Sequence, residues 1–226
     1  MSILENIKEV QRRISESAKK VGRNPDEITL VAVSKTKPVR LIKEATQCGI
    51  TQLGENRVQE VMEKFEHIDG AQWHLIGHLQ KNKVKYIVDK VSLIHSVDSY
   101  ELAKEIDKQA KKIGKIQEIL IQVNISGEES KSGIEPENAE GVCRQVSELE
   151  NVRIKGFMTM APREADENEL HKIFGGLKAL MEEIKEKNIE NVELEELSMG
   201  MSGDYEIAVM EGATIVRVGT GIFGVR

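Results

Sequence analysis

Apolar and polar positions follow two alternating periods along this chain. Over residues 3–21 the apolar positions Ile7, Val10, Ile14 and Ala18 recur every three or four residues, the stripe of an amphipathic helix. Gly22 ends it and Asn24-Pro25 turns the chain. Residues 28–35 then form an almost uncharged, β-branched run, which predicts a buried parallel strand. A helix is predicted over 38–48, closed by Gly49. The pair of patterns repeats. Further strands are predicted at 51–54, 72–76, 92–97, 117–125, 152–158, 195–199 and 214–218. Further helices are predicted at 57–67, 81–89, 100–113, 137–149, 167–187 and 204–211.

Eight strands, each but the last followed by a clear helix, suit a doubly wound sheet or a (β/α)8 barrel. A barrel closes at eight and typically runs to about 250 residues, which favours it for a chain of 226. No Gly-x-Gly-x-x-Gly follows the first strand, so the dinucleotide-binding alternative is weakened. The expected fold is α/β, a single (β/α)8 TIM barrel with an extra N-terminal helix, with 1–226 as one domain.

Composition narrows the function classes. A net charge of -6 with both signs interspersed argues against a nucleic-acid binder. Cys48 and Cys143 show no paired spacing, so neither a disulfide framework nor a metal site is indicated and a reducing compartment fits. The N-terminus carries Glu5, Lys8, Glu9, Arg12 and Arg13 and lacks a signal peptide's apolar core. No stretch approaches a membrane span. A cytoplasmic protein without a membrane partner is expected. A closed barrel needs no second copy, so a monomer is preferred.

In a barrel the functional groups sit at the C-terminal ends of the strands. The predicted ends carry Ser34 and Lys35, Glu55 and Asn56, His74, His95 and Asp98, Asn124, Met158 and Met160, Met201 and Ser202, and Arg217, Gly219 and Thr220. Lys35 has most to explain. A lysine at the tip of a buried strand snorkels to solvent, or it sits in a dry site as a base or Schiff-base nucleophile. Barrel phosphate sites are built from the loops after strands seven and eight. Ser198-Met199-Gly200-Met201-Ser202-Gly203 supplies a hydroxyl and flexible backbone before a helix start, and Gly219-Thr220-Gly221 offers N–H groups and a hydroxyl. Either segment alone reads equally as a tight turn; both at the expected places favour a phosphate site.

Arg217 shares a strand face with Gly219. Inside a barrel it must be paired, with the body of a ligand held there or with a carboxylate such as Glu55. His74 and His95 are each open as base, donor or satisfied core histidine, the last being the simplest. Asp98-Ser99 reads as a helix cap. The methionines at 158, 160, 199, 201 and 210 read as packing, and Lys81, Lys83 and Lys85 as a solvated helix face. A nucleophilic lysine opposite a phosphate cradle, with an arginine aimed at the ligand's ring, suggests pyridoxal 5′-phosphate. Arginine keeps its proton, so the ring nitrogen facing it stays unprotonated and the ring is a poorer electron sink.

The segments Val31-Ala32-Val33-Ser34-Lys35-Thr36-Lys37-Pro38, Gly54-Glu55-Asn56 and Trp73-His74-Leu75-Ile76-Gly77-His78-Leu79-Gln80-Lys81-Asn82-Lys83 carry a family pattern. So do Lys131-Ser132-Gly133-Ile134, Gly200-Met201-Ser202 and Val216-Arg217-Val218-Gly219-Thr220. Together they resemble the pyridoxal phosphate homeostasis protein family over about residues 3–224. The resemblance implies a barrel like the N-terminal domain of alanine racemase. It implies that Lys35 forms an internal aldimine with pyridoxal 5′-phosphate and that Arg217 faces the pyridine nitrogen. Ser202, Gly219 and Thr220 would hold the phosphate, Asn56 and His74 would line the pocket, and Met201 would lie near it.

Alanine racemase adds a second domain, and its two-base chemistry uses a tyrosine from that domain of a partner subunit. Here the sequence stops after the eighth predicted strand, and Tyr86, Tyr100 and Tyr205 all fall on predicted helices. The expectation is a cofactor-binding homeostasis protein, not an enzyme, that protects the aldehyde and releases it to apo-enzymes. The alternative is a small pyridoxal-phosphate enzyme, an amino-acid racemase or lyase; a structural protein with a vestigial site is the third reading.

Overall fold

The computed structural model describes residues 2–128 and 132–224, so Lys131 of the fourth motif lies outside the described residues. The chain opens with α1 (Ile3–Lys20), started by a capping box in which Glu5 N–H donates to the Ser2 hydroxyl and Ser2 N–H to the Glu5 carboxylate. Its buried face is Ile3, Ile7, Val10, Ile14 and Ala18, the stripe the spacing predicts. Next come β1 (Thr29–Val33), α2 (Val39–Gln47), β2 (Gln52–Glu55), α3 (Val58–Phe65) and β3 (Gln72–Leu75). They are followed by β4 (Val91–Val97), α4 (Tyr100–Lys112), β5 (Gln117–Gln122) and α5 (Ala139–Ser147). The last elements are β6 (Val152–Met158), α6 (Glu167–Lys185), β7 (Val192–Met201), α7 (Tyr205–Met210), β8 (Ile215–Val218) and α8 (Thr220–Phe223). Ser99 caps α4 as expected, accepting from Leu102 N–H.

Among the described residues eight parallel strands close in sequence order, and β8 pairs back onto β1 with Val31 opposite Arg217. The barrel fold class expected from the sequence is the one observed. Three local expectations are corrected. Residues 81–89 form a 3₁₀ run, Lys81–Tyr86, rather than a helix. Only Val84 of that run is buried and Gln80 supplies no side-chain cap, so a longer helix has neither a stripe nor a start. The seventh strand begins three residues earlier than expected. Glu193 hides this opening stretch, and Lys155 of β6 neutralises it together with Glu195, donating to Glu193 at 2.7 Å and Glu195 at 2.8 Å. The eighth strand is followed by a helix after all, but α8 is a single turn, too short to show a period. α1 packs on α2, α7 and α8, so the extra N-terminal helix completes the outer ring where the eighth helix is short.

No helix among the described residues is long and apolar enough to cross a membrane. Two cores result. The large outer one lies between strands and helices and includes Leu53, Trp73, Leu75, Ile94, Ile119, Phe157 and Val216. The inner one, within the barrel, is only Val31, Leu93, Leu120, Met158 and Ile215, with Met160 against it. The interior is otherwise polar: His74, His95, Ser198 and Arg217 are all buried there. Polar groups in such a place must find partners among themselves.

Candidate functional site

Lys35 follows β1 by two residues and sits half-buried in the turn that leads to α2. That turn is held from below and from the side. Ser34 N–H donates to Gly54 O at 3.0 Å, and the Ser34 hydroxyl donates to Glu55 Oε1 at 2.7 Å. Lys64 of α3, itself 6% exposed, donates to Ser34 O at 2.9 Å, Glu55 Oε1 at 2.7 Å and Glu60 Oε2 at 2.8 Å. Glu60 Oε2 also accepts the Thr36 N–H at 2.6 Å. These bonds hold Thr36 at φ 62°, a left-handed backbone that a β-branched residue adopts only when its surroundings over-determine it. Burial pushes the Glu55 carboxyl up, against Lys64 and Ser34, which favour its ionised form. Burial works the same way on Glu60, but Lys64 and the Thr36 N–H outweigh it and its pKa is lowered.

The loops after β7 and β8 are joined. Gly219 N–H donates to the Ser202 hydroxyl at 3.1 Å. Gly219 also lies against β1: a Cβ placed there would sit 3.3 Å from Val33 O, two residues before Lys35. Gly200 opens the first loop at φ 90°, where a Cβ would come within 2.6 Å of Ala208 Cβ, so only glycine lets β7 run this close to α7. Met201 N–H donates to Asp204 Oδ1 at 2.5 Å and shapes the same loop. Thr220 is exposed at the start of α8. Just beyond β2, on the other flank of β1, Asn56 Oδ1 is buried without a partner among the described residues. Its backbone is backed by Gly77, where a Cβ would fall 2.4 Å from Asn56 O.

Arg217 is 3% exposed. Its Nη2 donates to Thr159 O at 2.9 Å and its Nη1 donates to the Ser198 hydroxyl. Burial brings the guanidinium down to about 10, opposed by the charge of Asp204. Asp204 is the carboxylate whose charge reaches Arg217. The ion pair with Glu55 offered by the sequence does not form, because alternation turns Glu55 outward to Lys64 and Ser34. His74 and His95 are satisfied interior histidines. His74 Nδ1 and His95 Nε2 are 2.8 Å apart, His74 Nε2 lies 2.8 Å from Gln52 Oε1, and His95 Nδ1 lies 2.8 Å from the Ser198 hydroxyl. Burial lowers His74 to about 4 and lowers His95 well below its usual value, the latter aided by His74 and Arg217.

This carries a pH dependence. The unfolded chain takes up a proton on His74 below about 6.5, while the folded one resists until about 4. The unfolded state binds more protons across that window, so stability is full above it and is lost on acidification. Between neutral pH and 4.5 the wild type is expected to lose about 2–3 kcal/mol more than His74→Gln. Urea unfolding at both pH values checks this, and equal losses in the two proteins would rule it out.

The structure thus groups Lys35, Gly219, Ser202 and Arg217 through β1, β7 and β8, and places Asn56 just after β2, the other neighbour of β1. Lys64, Gln52 and Asp204 were missed as site residues. The Glu60–Lys64 spacing of four on a helix was the one available signal for the first; nothing in the sequence marks Gln52.

Known proteins match this chain over its length. The model of the alanine racemase N-terminal domain family matches residues 3–226. The pyridoxal phosphate homeostasis protein of Aquifex aeolicus (strain VF5) is 44% identical over 228 residues, covering 100% of this chain and 99% of its own. The solved structure of PipY from Synechococcus elongatus PCC7942, with pyridoxal phosphate bound, has a TM-score of 0.83 at 37% identity and covers 93% of this chain and 100% of its own. An unknown protein from Bifidobacterium adolescentis has a TM-score of 0.91 at 34% identity, covering 97% and 94%. With a lysine turn against paired loops after β7 and β8, and identity of this order end to end, the chain belongs to the pyridoxal phosphate homeostasis protein family, built on the alanine racemase N-terminal barrel.

Proposed function

We propose that this chain binds pyridoxal 5′-phosphate and acts in its homeostasis, holding the reactive aldehyde on Lys35 and giving it up to apo-enzymes without turning over a substrate of its own. The observation that carries the reading is the junction of three strand ends. Gly219 donates to Ser202 while resting on Val33, so the lysine turn adjoins a pair of loops suited to phosphate. The residues present fit the cofactor. Asn56 Oδ1 is a buried acceptor in want of a donor, as a phenolic hydroxyl is. Ser202, Gly219 and Thr220 would take the phosphate and Arg217 the ring nitrogen, with Met201 lining the site and His74, expected from the sequence to line it, lying behind Arg217. When bound, the cofactor supplies an electrophilic aldehyde on an electron-withdrawing ring.

Two observations favour holding over turnover. Arg217 stays protonated beside Asp204 and keeps the ring a weak electron sink. The three tyrosines are engaged elsewhere: Tyr86 lies under Lys83 and Lys85, Tyr100 under Lys104, and Tyr205 is packed beside Arg13 and Glu206. A cytoplasmic monomer is part of the proposal, since Cys48 and Cys143 are free thiols and a closed barrel exposes no strand edge. The test is to dialyse protein loaded with pyridoxal phosphate and incubate it with D- and L-amino acids, then with an apo-enzyme. A retained visible band, no turnover, and transfer faster than free cofactor allows are expected. A protein that stays colourless rejects binding, and sustained racemisation or elimination rejects the carrier reading.

A further inference from the structure

Behind Arg217 a single row of hydrogen bonds crosses the barrel interior from β8 to β2. Arginine can only donate, so Ser198 Oγ must accept from Arg217 Nη1. The Ser198 hydrogen is then left for His95 Nδ1, at 2.8 Å. His95, accepting at Nδ1, carries its proton on Nε2 and donates to His74 Nδ1, at 2.8 Å. His74 carries its proton on Nε2 and donates to Gln52 Oε1, at 2.8 Å. One direction of donation satisfies every atom, and it requires both rings to be neutral. Burial of both imidazoles supplies that condition. The row joins strands on opposite sides of the barrel, because Ser198 belongs to β7 and His95 to β4. The inner apolar cluster of Val31, Leu93, Leu120, Met158 and Ile215 shares this interior and keeps it dry, where such bonds are strong and broken ones costly.

We propose that Ser198, His95, His74 and Gln52 are positioning residues for Arg217: their one-way row fixes its guanidinium from behind and so sets how tightly the cofactor ring is held. This rests on the cofactor reading above. Ser198 can offer Arg217 nothing but a lone pair while its hydrogen is engaged by His95, and Thr159 O fixes the second terminal nitrogen at 2.9 Å. Losing the last acceptor, Gln52, leaves His74 Nε2–H without a partner and frees the row to reverse. Ser198 Oγ would then have to accept from His95 Nδ1–H as well as from Arg217, dividing its lone pairs between two donors and leaving its own hydrogen without a partner.

The test uses the full-length protein. In the apo-form, isotope-labelled histidine NMR at neutral pH is expected to show His74 and His95 both as neutral Nε2–H tautomers. Titration with pyridoxal phosphate, read by visible absorbance, is expected to show about tenfold weaker binding and a displaced absorption maximum for Gln52→Leu and for Ser198→Ala. Gln52→Glu, whose carboxylate favours a cationic His74 that donates at both nitrogens and reverses the row, is expected to weaken binding and displace the maximum as well. Wild-type affinity with an unmoved maximum in Gln52→Leu and Ser198→Ala overturns the proposal. If a variant does not fold, the wild-type NMR decides: a cationic ring or an Nδ1–H tautomer at either position overturns it. A wild type with the expected tautomers that never binds pyridoxal phosphate rejects the functional reading instead, and the row's role toward the ring falls with it.

Discussion

Lys35→Ala is expected to lose all pyridoxal phosphate retained through dialysis, while Lys37→Ala keeps it. The two lysines share one turn, so composition and local charge do not separate them. Geometry does. The Lys37 ammonium reaches across to the far end of α8, donating to Phe223 O at 3.3 Å and Gly224 O at 3.0 Å. Lys35 is placed two residues beyond Val33, on which Gly219 rests. An amine condenses with an aldehyde with release of water, and the covalent bond is what resists dilution. Without it, the phosphate loops and Arg217 still bind, so weak, dialysable association is expected to remain in Lys35→Ala. Visible spectra before and after dialysis check both variants. Full retention by Lys35→Ala would remove Lys35 from the role given to it here.

Lys37 shows a further point about the turn. The carbonyl end of α8 receives its ammonium, while the N-terminal end of the same helix carries Gly219 and Thr220. Positive charge at a helix C-terminus and an anion at its N-terminus each stabilise it, by about 0.3–1 kcal/mol at exposed positions. The lysine turn is therefore tied to the far end of the helix that opens on Gly219 and Thr220, the residues proposed to take the phosphate.

Much of this architecture is legible in the sequence itself. Buried parallel strands are written as uncharged β-branched runs, and amphipathic helices as stripes, so the order of elements and the closure at eight followed directly. Candidate residues at strand ends were legible for the same reason, because a polar residue closing an apolar run stands out. Lys35, Ser202, Arg217 and Gly219 are of that kind. What stayed hidden is pairing across distance in sequence. Glu55 reads as a partner for Arg217 until the pleat is fixed, and then it faces Lys64 on the opposite side of the sheet. Gln52 lies 22 residues from His74 and reads as an ordinary polar strand residue. The first three residues of β7 were hidden by the charge of Glu193, which Lys155 and Arg153 on the neighbouring strand make tolerable.

Lys64→Met is expected to destabilise the fold by about 3–5 kcal/mol, the cost of leaving one member of a buried ion pair uncompensated. That is a large share of the 5–15 kcal/mol typical of a domain. Glu55 is fully buried and its Oε2 already lacks a partner, so after the substitution only the Ser34 hydroxyl would meet its charge. The loss should depend on pH in a definite direction. A carboxyl whose folded pKa is raised above its unfolded value binds more protons folded than unfolded in the window between them. Acidification through that window therefore restores stability, and at neutral pH the penalty is full. Removing Lys64 raises the Glu55 pKa further, so Lys64→Met should recover toward wild type as pH falls, opposite in sign to the histidine effect. The double variant Lys64→Met, Glu55→Leu should be milder than the single one, because a buried pair replaced by apolar groups of similar size is often neutral. It would still release Ser34 O and leave Thr36 held by Glu60 alone. The double variant should thus refold well yet bind pyridoxal phosphate more weakly, separating the stability role of the pair from its grip on the lysine turn. Urea unfolding and cofactor titration on the same samples measure the two. Equal stability of Lys64→Met and wild type at neutral pH would show that the pair does not hold this corner of the barrel.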